Sequence, residues 1–180
     1  MRKDFSSKSG DFIQNQPTGF VKSKKGFTLV EIVVTICILA TLAAIALPVI
    51  AYTLESSLKS KAKTNAHSIE VAIKEANSLL GAKDSLKYAN ASSNSIKISE
   101  VVKANNIGNA FEPVDVYGTV YYPVMCKGKV YFATDSNGDN SFDKNDKDID
   151  GNNLPDTCVA LYDKVNNKII ENEISNLPLN

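Results

Sequence analysis

Apolar and polar positions divide the chain into stretches of different period. From Phe27 to Leu47 there are 21 residues and one charge, Glu31. A helix rises 1.5 Å per residue, so this run covers ~30 Å, the hydrocarbon thickness of a bilayer. Pro48 follows, and a proline inside a helix removes one hydrogen bond and crowds the preceding turn. It predicts a kink or local opening where the membrane ends. Beyond it Leu54, Leu58, Ala62, Ala66, Ile69, Ile73, Ala76 and Leu80 recur every three or four residues, which is one face of an amphipathic helix. Gly81 is a natural C-cap. If continuous from Phe27 to Leu80, the helix would be ~80 Å long.

The remaining pattern is shorter in period. Ala82 to Ser95 is rich in Ser, Asn and Ala and reads as a loop. Ser99 is placed to cap a short helix reaching Asn105, with Val101 and Val102 inward and Ile96, Ile98 and Ile107 pinning it. Val116, Tyr117, Val120, Tyr121 and Tyr122 are strand formers, and Pro123 suggests an edge or a strand's end. Val124–Cys126, the turn Lys127-Gly128-Lys129 and Val130–Phe132 read as a hairpin. Cys158–Tyr162 gives a third strand, and Ile169 and Ile170 a fourth. A long helix against a small antiparallel sheet is an α+β head.

Charge gives the first run a direction. Lys22, Lys24 and Lys25 precede it, so the positive-inside rule places the N-terminus in the cytoplasm and residue 48 onward outside. A carboxylate one turn into such a helix is costly and calls for a partner. The stretch Lys24-Lys25-Gly26-Phe27-Thr28-Leu29-Val30-Glu31, followed by an unbroken apolar run to Pro48, resembles the N-terminus of type IV pilins and their relatives. The resemblance covers about residues 22–55. It implies that a prepilin peptidase cuts between Gly26 and Phe27 and that Phe27 becomes N-methylated. It further implies that the new amine and Glu31 neutralise each other within or between subunits, fixing register in a filament. Pro48 would mark a segment able to unwind there. The leader has 26 residues, longer than many of this family.

On that reading the chain divides into a cleaved leader (1–26), a transmembrane or filament-core helix (27–53) and a globular head (54–180). Within the head lie the amphipathic helix 54–80, a connecting region 81–113 and a sheet region 114–180. The net charge of zero hides an uneven split: +4 on the leader and −4 on the rest, from the positions of the 20 basic and 20 acidic residues. A basic face for nucleic acid is not evident after cleavage. Cys126 and Cys158 fall on expected strands of an exterior domain, where oxidising conditions favour a disulfide. It would close a loop of about 33 residues, worth roughly 4 kcal/mol. Pilin-like proteins often staple their last loop this way; two reduced core cysteines are the other reading. Cys37 is a small apolar residue of the membrane run, or an acylation site.

A second chemical feature lies between these cysteines. Asp135, Asn137, Asp139, Ser141 and Asp143 put oxygen at every second position, and Asp146 follows. Such a row can turn six to eight oxygens onto Ca²⁺. It is similar to an EF-hand loop, with Phe142 at the apolar anchor position. Asn140 replaces the usual glycine but tolerates the left-handed conformation, and Asp146 replaces glutamate. No helix flanks it. Asp146, Asp148, Asp150 and Gly151 begin a similar row with Asp156 beyond, which leaves room for a second or shared ion. The alternative is a solvated acidic loop.

No catalytic constellation is present. The one histidine, His67, lies among polar residues of a helix, and there is neither a phosphate loop nor a CxxC. The expectation is a non-enzymatic structural subunit that inserts in the cytoplasmic membrane and polymerises with itself and other pilins into an extracellular pilus for adhesion or motility. Its partners would be prepilin peptidase and the assembly machinery, with nucleic acid only in a DNA-uptake pilus. The first alternative is a pseudopilin of a secretion or DNA-uptake system. A further one is an anchored or secreted Ca²⁺-binding module, released by signal peptidase after Ala44-Ile45-Ala46 to start at Leu47.

Overall fold

The computed structural model describes residues 26–81 and 95–179; residues 1–25, nearly all of the expected leader, and 82–94, most of the expected Ser/Asn/Ala loop, lie outside them, as does residue 180. The chain divides between Ala44 and Ile45 into two units. Helix α1, Leu29–Gly81, begins in the first and continues in the second, with Pro48 inside it. In the first unit no described residue covers the apolar side chains: Leu29, Val30, Ile36, Leu39 and Leu42 are each more than half exposed. Among the described residues this is a helix long and apolar enough to cross a membrane, and its most apolar stretch is not buried. Threonines are compatible with this run because their hydroxyls bond back to the helix: Thr35 donates to Ile32 O and Thr41 to Ile38 O, both at 2.8 Å.

The second unit is built on the helix's amphipathic half. Ala62, Ala66, Ile69, Ala72, Ile73 and Ala76 form its buried face, as the three- and four-residue spacing predicts. The face begins later than expected: Leu54 is 50 % exposed, and Leu58 only packs against the core's margin. Alanines on this face let the sheet come close, and the larger Ile69 and Ile73 meet Phe111, Met125, Val130, Phe132 and Leu161 in one cluster. Glu70 Oε1 accepts the Val130 amide at 2.8 Å, tying helix to sheet by a polar bond as well.

Helix α2, Ile98–Asn105, buries Ile98, Val101 and Val102. The expected Ser99 cap is absent. Lys97 occupies the N-cap position without a side-chain bond, and Ser99, inside the helix, donates instead to Glu171 Oε2 at 2.8 Å. The sheet consists of β1 (Val114–Val116), β2 (Thr119–Cys126), β3 (Lys129–Thr134) and β4 (Lys147–Asp148) in that order, with β5 (Val159–Ala160) pairing with β2. Strands β6 (Tyr162–Asp163) and β7 (Lys168–Ile169) make a separate ribbon. All pairings are antiparallel.

Three strand expectations need correction. Pro123 is neither at an edge nor at an end: it lies buried inside β2, opposite Phe132. A residue's N and O point to the same side of a strand, and Pro123 O accepts the Leu161 amide just past the end of β5. The missing N–H therefore falls where that ladder stops. The expected strand Cys158–Tyr162 is two strands, β5 and β6, in different pairings, with Leu161 buried at the break. Finally, Tyr117 is not in a strand. It forms the β1–β2 turn with Gly118, at φ +51° and +86°. A bulky residue in the left-handed region is unusual. Here the Tyr117 hydroxyl donates to Ala51 O on α1 at 2.8 Å, and the Gly118 amide donates to Asp115 Oδ1 at 2.7 Å.

Candidate functional site

Two regions carry the chemistry. The first is the entry to α1. Gly26, Phe27 and Thr28 precede the helix and are exposed, Phe27 at 83 %. No described residue other than its chain neighbours lies within 4 Å of where a Gly26 side chain would start. The Gly26–Phe27 bond precedes the helix, in non-helical backbone. Thr28 and Glu31 form a reciprocal box across the first turn. Glu31 Oε2 accepts the Thr28 amide at 2.9 Å and its hydroxyl at 3.0 Å, and the Glu31 amide donates to Thr28 Oγ1 at 3.2 Å. This is a capping box, satisfying helix N–H groups that have no carbonyl partner. Thr28 was not singled out from the sequence, although the Thr-x-x-Glu spacing was there to be read. Pro48 lies exposed within α1.

The second region lies between β3 and β4. The pairs Ala133–Asp148 and Thr134–Lys147 close a loop over residues 135–146, and Phe142 drops from it into a small core with Val124, Cys126, Ala133 and Leu154. Cys126, at the end of β2, is bonded to Cys158, just before β5. The disulfide thus staples the strand next to the loop to the chain leaving it. Cys37 is free and exposed on α1.

Inside the loop the expected ligands bond mostly to the loop itself. Asp135 Oδ1 accepts the Gly138 amide at 2.8 Å, and Oδ2 accepts the Asn140 amide at 3.0 Å. Asp139 takes the Ser141 amide and the Asn137 side-chain amide, and Asn137 Oδ1 takes the Asp139 amide. Asp143 takes both the backbone and side-chain N–H of Asn145. Ser141 remains exposed. Asp146 has no exposed surface; its two oxygens accept the Ser136 amide at 2.7 Å and the Asp143 amide at 3.0 Å. Asn140 holds φ +62°, the left-handed turn the row requires at that position. Among the described residues no three His, Cys, Asp or Glu side chains gather as a metal site.

Among the described residues, a cation reaches this loop from outside it. Lys164 Nζ, in the β6–β7 turn, donates to Asp135 Oδ2, with both side chains mostly covered. This bond holds the Asp135 carboxyl below the ordinary aspartate value, and the Asn140 and Gly138 amides push the same way against partial burial. The ammonium also lies 4.7 Å from the Phe142 ring centre and 5.8 Å from that of Tyr122. Lys164 was missed from the sequence because 29 residues separate it from Asp135.

Residues 21–47 match the prokaryotic N-terminal methylation motif. No curated protein and no solved structure matches the chain. The motif is the class III signal peptide of type IV pilins and pseudopilins, and implies processing by prepilin peptidase.

Proposed function

From a chain that carries this methylation motif, we propose a structural subunit of the type IV pilin kind. It is cut between Gly26 and Phe27, N-methylated at Phe27, and polymerised through its apolar helix into an extracellular pilus serving adhesion or motility. The observation that supports this most is the motif at 21–47 directly ahead of the first half of α1, whose large apolar side chains from Leu29 to Leu42 no described residue buries. Such a surface is stable only in lipid or against other apolar helices. Lipid holds the subunit before assembly, and copies of the same helix hold it afterwards.

Glu31 fits both settings. An unpaired carboxylate at the centre of a membrane helix costs about 2.5–3.5 kcal/mol, an upper figure for one in the first turn. In the uncut chain Thr28 supplies two donors to it. After cleavage, the Phe27 amine adds a positive charge one residue away from Thr28.

The test is the mass of the mature N-terminus in protein from its native cell. N-methyl-Phe27 is the expected result. A start at Leu47 refutes the proposal in favour of a secreted module, and an intact Met1 refutes processing altogether. Filament length under the electron microscope then separates a pilus from the short pseudopilus of a secretion or uptake system.

A further inference from the structure

We propose that the Lys164 ammonium is the resident cation of the 135–146 loop, and that Ca²⁺ enters the loop only by displacing it. Three observations converge on one atom. Lys164 Nζ donates to Asp135 Oδ2, and Asp135 is the residue whose two oxygens turn the Gly138 and Asn140 amides inward. The ammonium also sits against the Phe142 ring, whose own burial fixes the middle of the loop. Finally, the side chains of Lys164 and Asp135 are 17 % and 12 % exposed, so the pair is largely withdrawn from water. One side chain thus joins the start of the loop, its centre and the β6–β7 turn.

The chemistry of the surroundings suits an ammonium better than a calcium ion. An ammonium has three donors and is attracted to aromatic faces. Calcium requires six to eight oxygens, and Phe142 and Tyr122 offer none on their ring faces. A divalent ion beside Asp135 would also lie next to the positive charge of Lys164, so the lysine must leave before the ion is held. The acidic row that resembles a calcium loop is on this account closed by a side chain from elsewhere in the head.

The experiment is hydrogen exchange on the full-length chain in detergent, in EDTA and then with about 1 mM Ca²⁺, read at the Gly138 and Asn140 amides. Lys164→Met is expected to speed exchange there at least about tenfold in EDTA, while Lys164→Arg, which keeps the charge in a different shape, speeds it less. Added Ca²⁺ is expected to leave wild type unchanged and to slow Lys164→Met. Exchange in Lys164→Met equal to wild type in EDTA overturns the proposal. So does wild type slowed by Ca²⁺ as strongly as the variant. Neither result bears on N-terminal processing, which is read separately by mass.

Discussion

Asp146 offers the sharpest test of how the head is held together. Its side chain has no exposed surface, and each oxygen takes one backbone amide: Ser136 at 2.7 Å and Asp143 at 3.0 Å. A hydrogen bond to a charged group contributes about 1.5–3 kcal/mol. Asp146→Ala removes two. The amide of exposed Ser136 can turn to water, whereas that of half-buried Asp143 is less free to do so. The expected cost is therefore about 3 kcal/mol, a large share of the ~5–15 kcal/mol of a typical domain. At this chain length that is a fall in Tm of roughly 6–12 °C. Asp146→Asn keeps the volume and one acceptor but sets an NH₂ against a backbone N–H, and should lose at least half as much. Asp139→Ala is the control, since Asp139 is exposed and bonds only within the loop. Its cost should stay below about 1 kcal/mol. Urea unfolding of the full-length proteins in detergent and EDTA measures all three. If Asp146→Ala costs no more than Asp139→Ala, the buried carboxylate is not what organises the loop, and the reasoning fails.

Two further outcomes follow from the same geometry. Reducing the Cys126–Cys158 bond, or replacing both cysteines by alanine, should lower stability by about 4 kcal/mol, given the 32-residue separation; intact unfolding midpoints after reduction would refute this. Asp163 accepts the Val165 and Asn166 amides and the Asn166 side chain, and the Asn166 side-chain bond chiefly lowers its pKa. A depressed folded value means that the stabilisation is present above the ordinary aspartate pKa and is lost as pH falls through the lowered one. NMR titration should find Asp163 ionised below that ordinary value, and Asn166→Ala should move it back up.

What the sequence made legible was whatever depends on near neighbours. The period from Ala62 to Ala76 gave the helix's buried face, and Lys127-Gly128 gave the hairpin turn because a glycine at positive φ is a local requirement. What it hid depends on distant chain. Tyr117 reads as a strand former because aromatic residues fit pleated, half-buried surfaces. Its left-handed conformation accompanies a bond to Ala51, 66 residues away. Pro123 reads as a strand end until the pairing partner of its N–H side is known. The loop shows a similar limit. The alternation from Asp135 to Asp143 announces a need for positive charge, but nothing within the row says that Lys164 would meet part of it. Asn140 is the intermediate case: its tolerance of positive φ was legible, and its φ of +62° is observed.

Glu31 shows why a motif and its physics have to be argued separately. A carboxylate near the start of a membrane helix calls for a partner. In the uncut chain the capping box supplies one, since the Thr28 amide and hydroxyl occupy Glu31 Oε2 without any second subunit. A cap of this kind contributes on the order of 1 kcal/mol, and it also places a negative charge where the helix dipole favours one. The same geometry sets up the proposed second role. Cleavage after Gly26 would leave a positive amine on Phe27, at the end of the helix where the dipole disfavours it. Glu31 stands in the first turn as the available counter-charge, already oriented by Thr28. An alanine at 31 would therefore remove a local cap before processing and a charge partner after it, whereas glutamine would keep much of the cap and lose only the charge. The two substitutions separate the role the geometry shows from the one assembly would add.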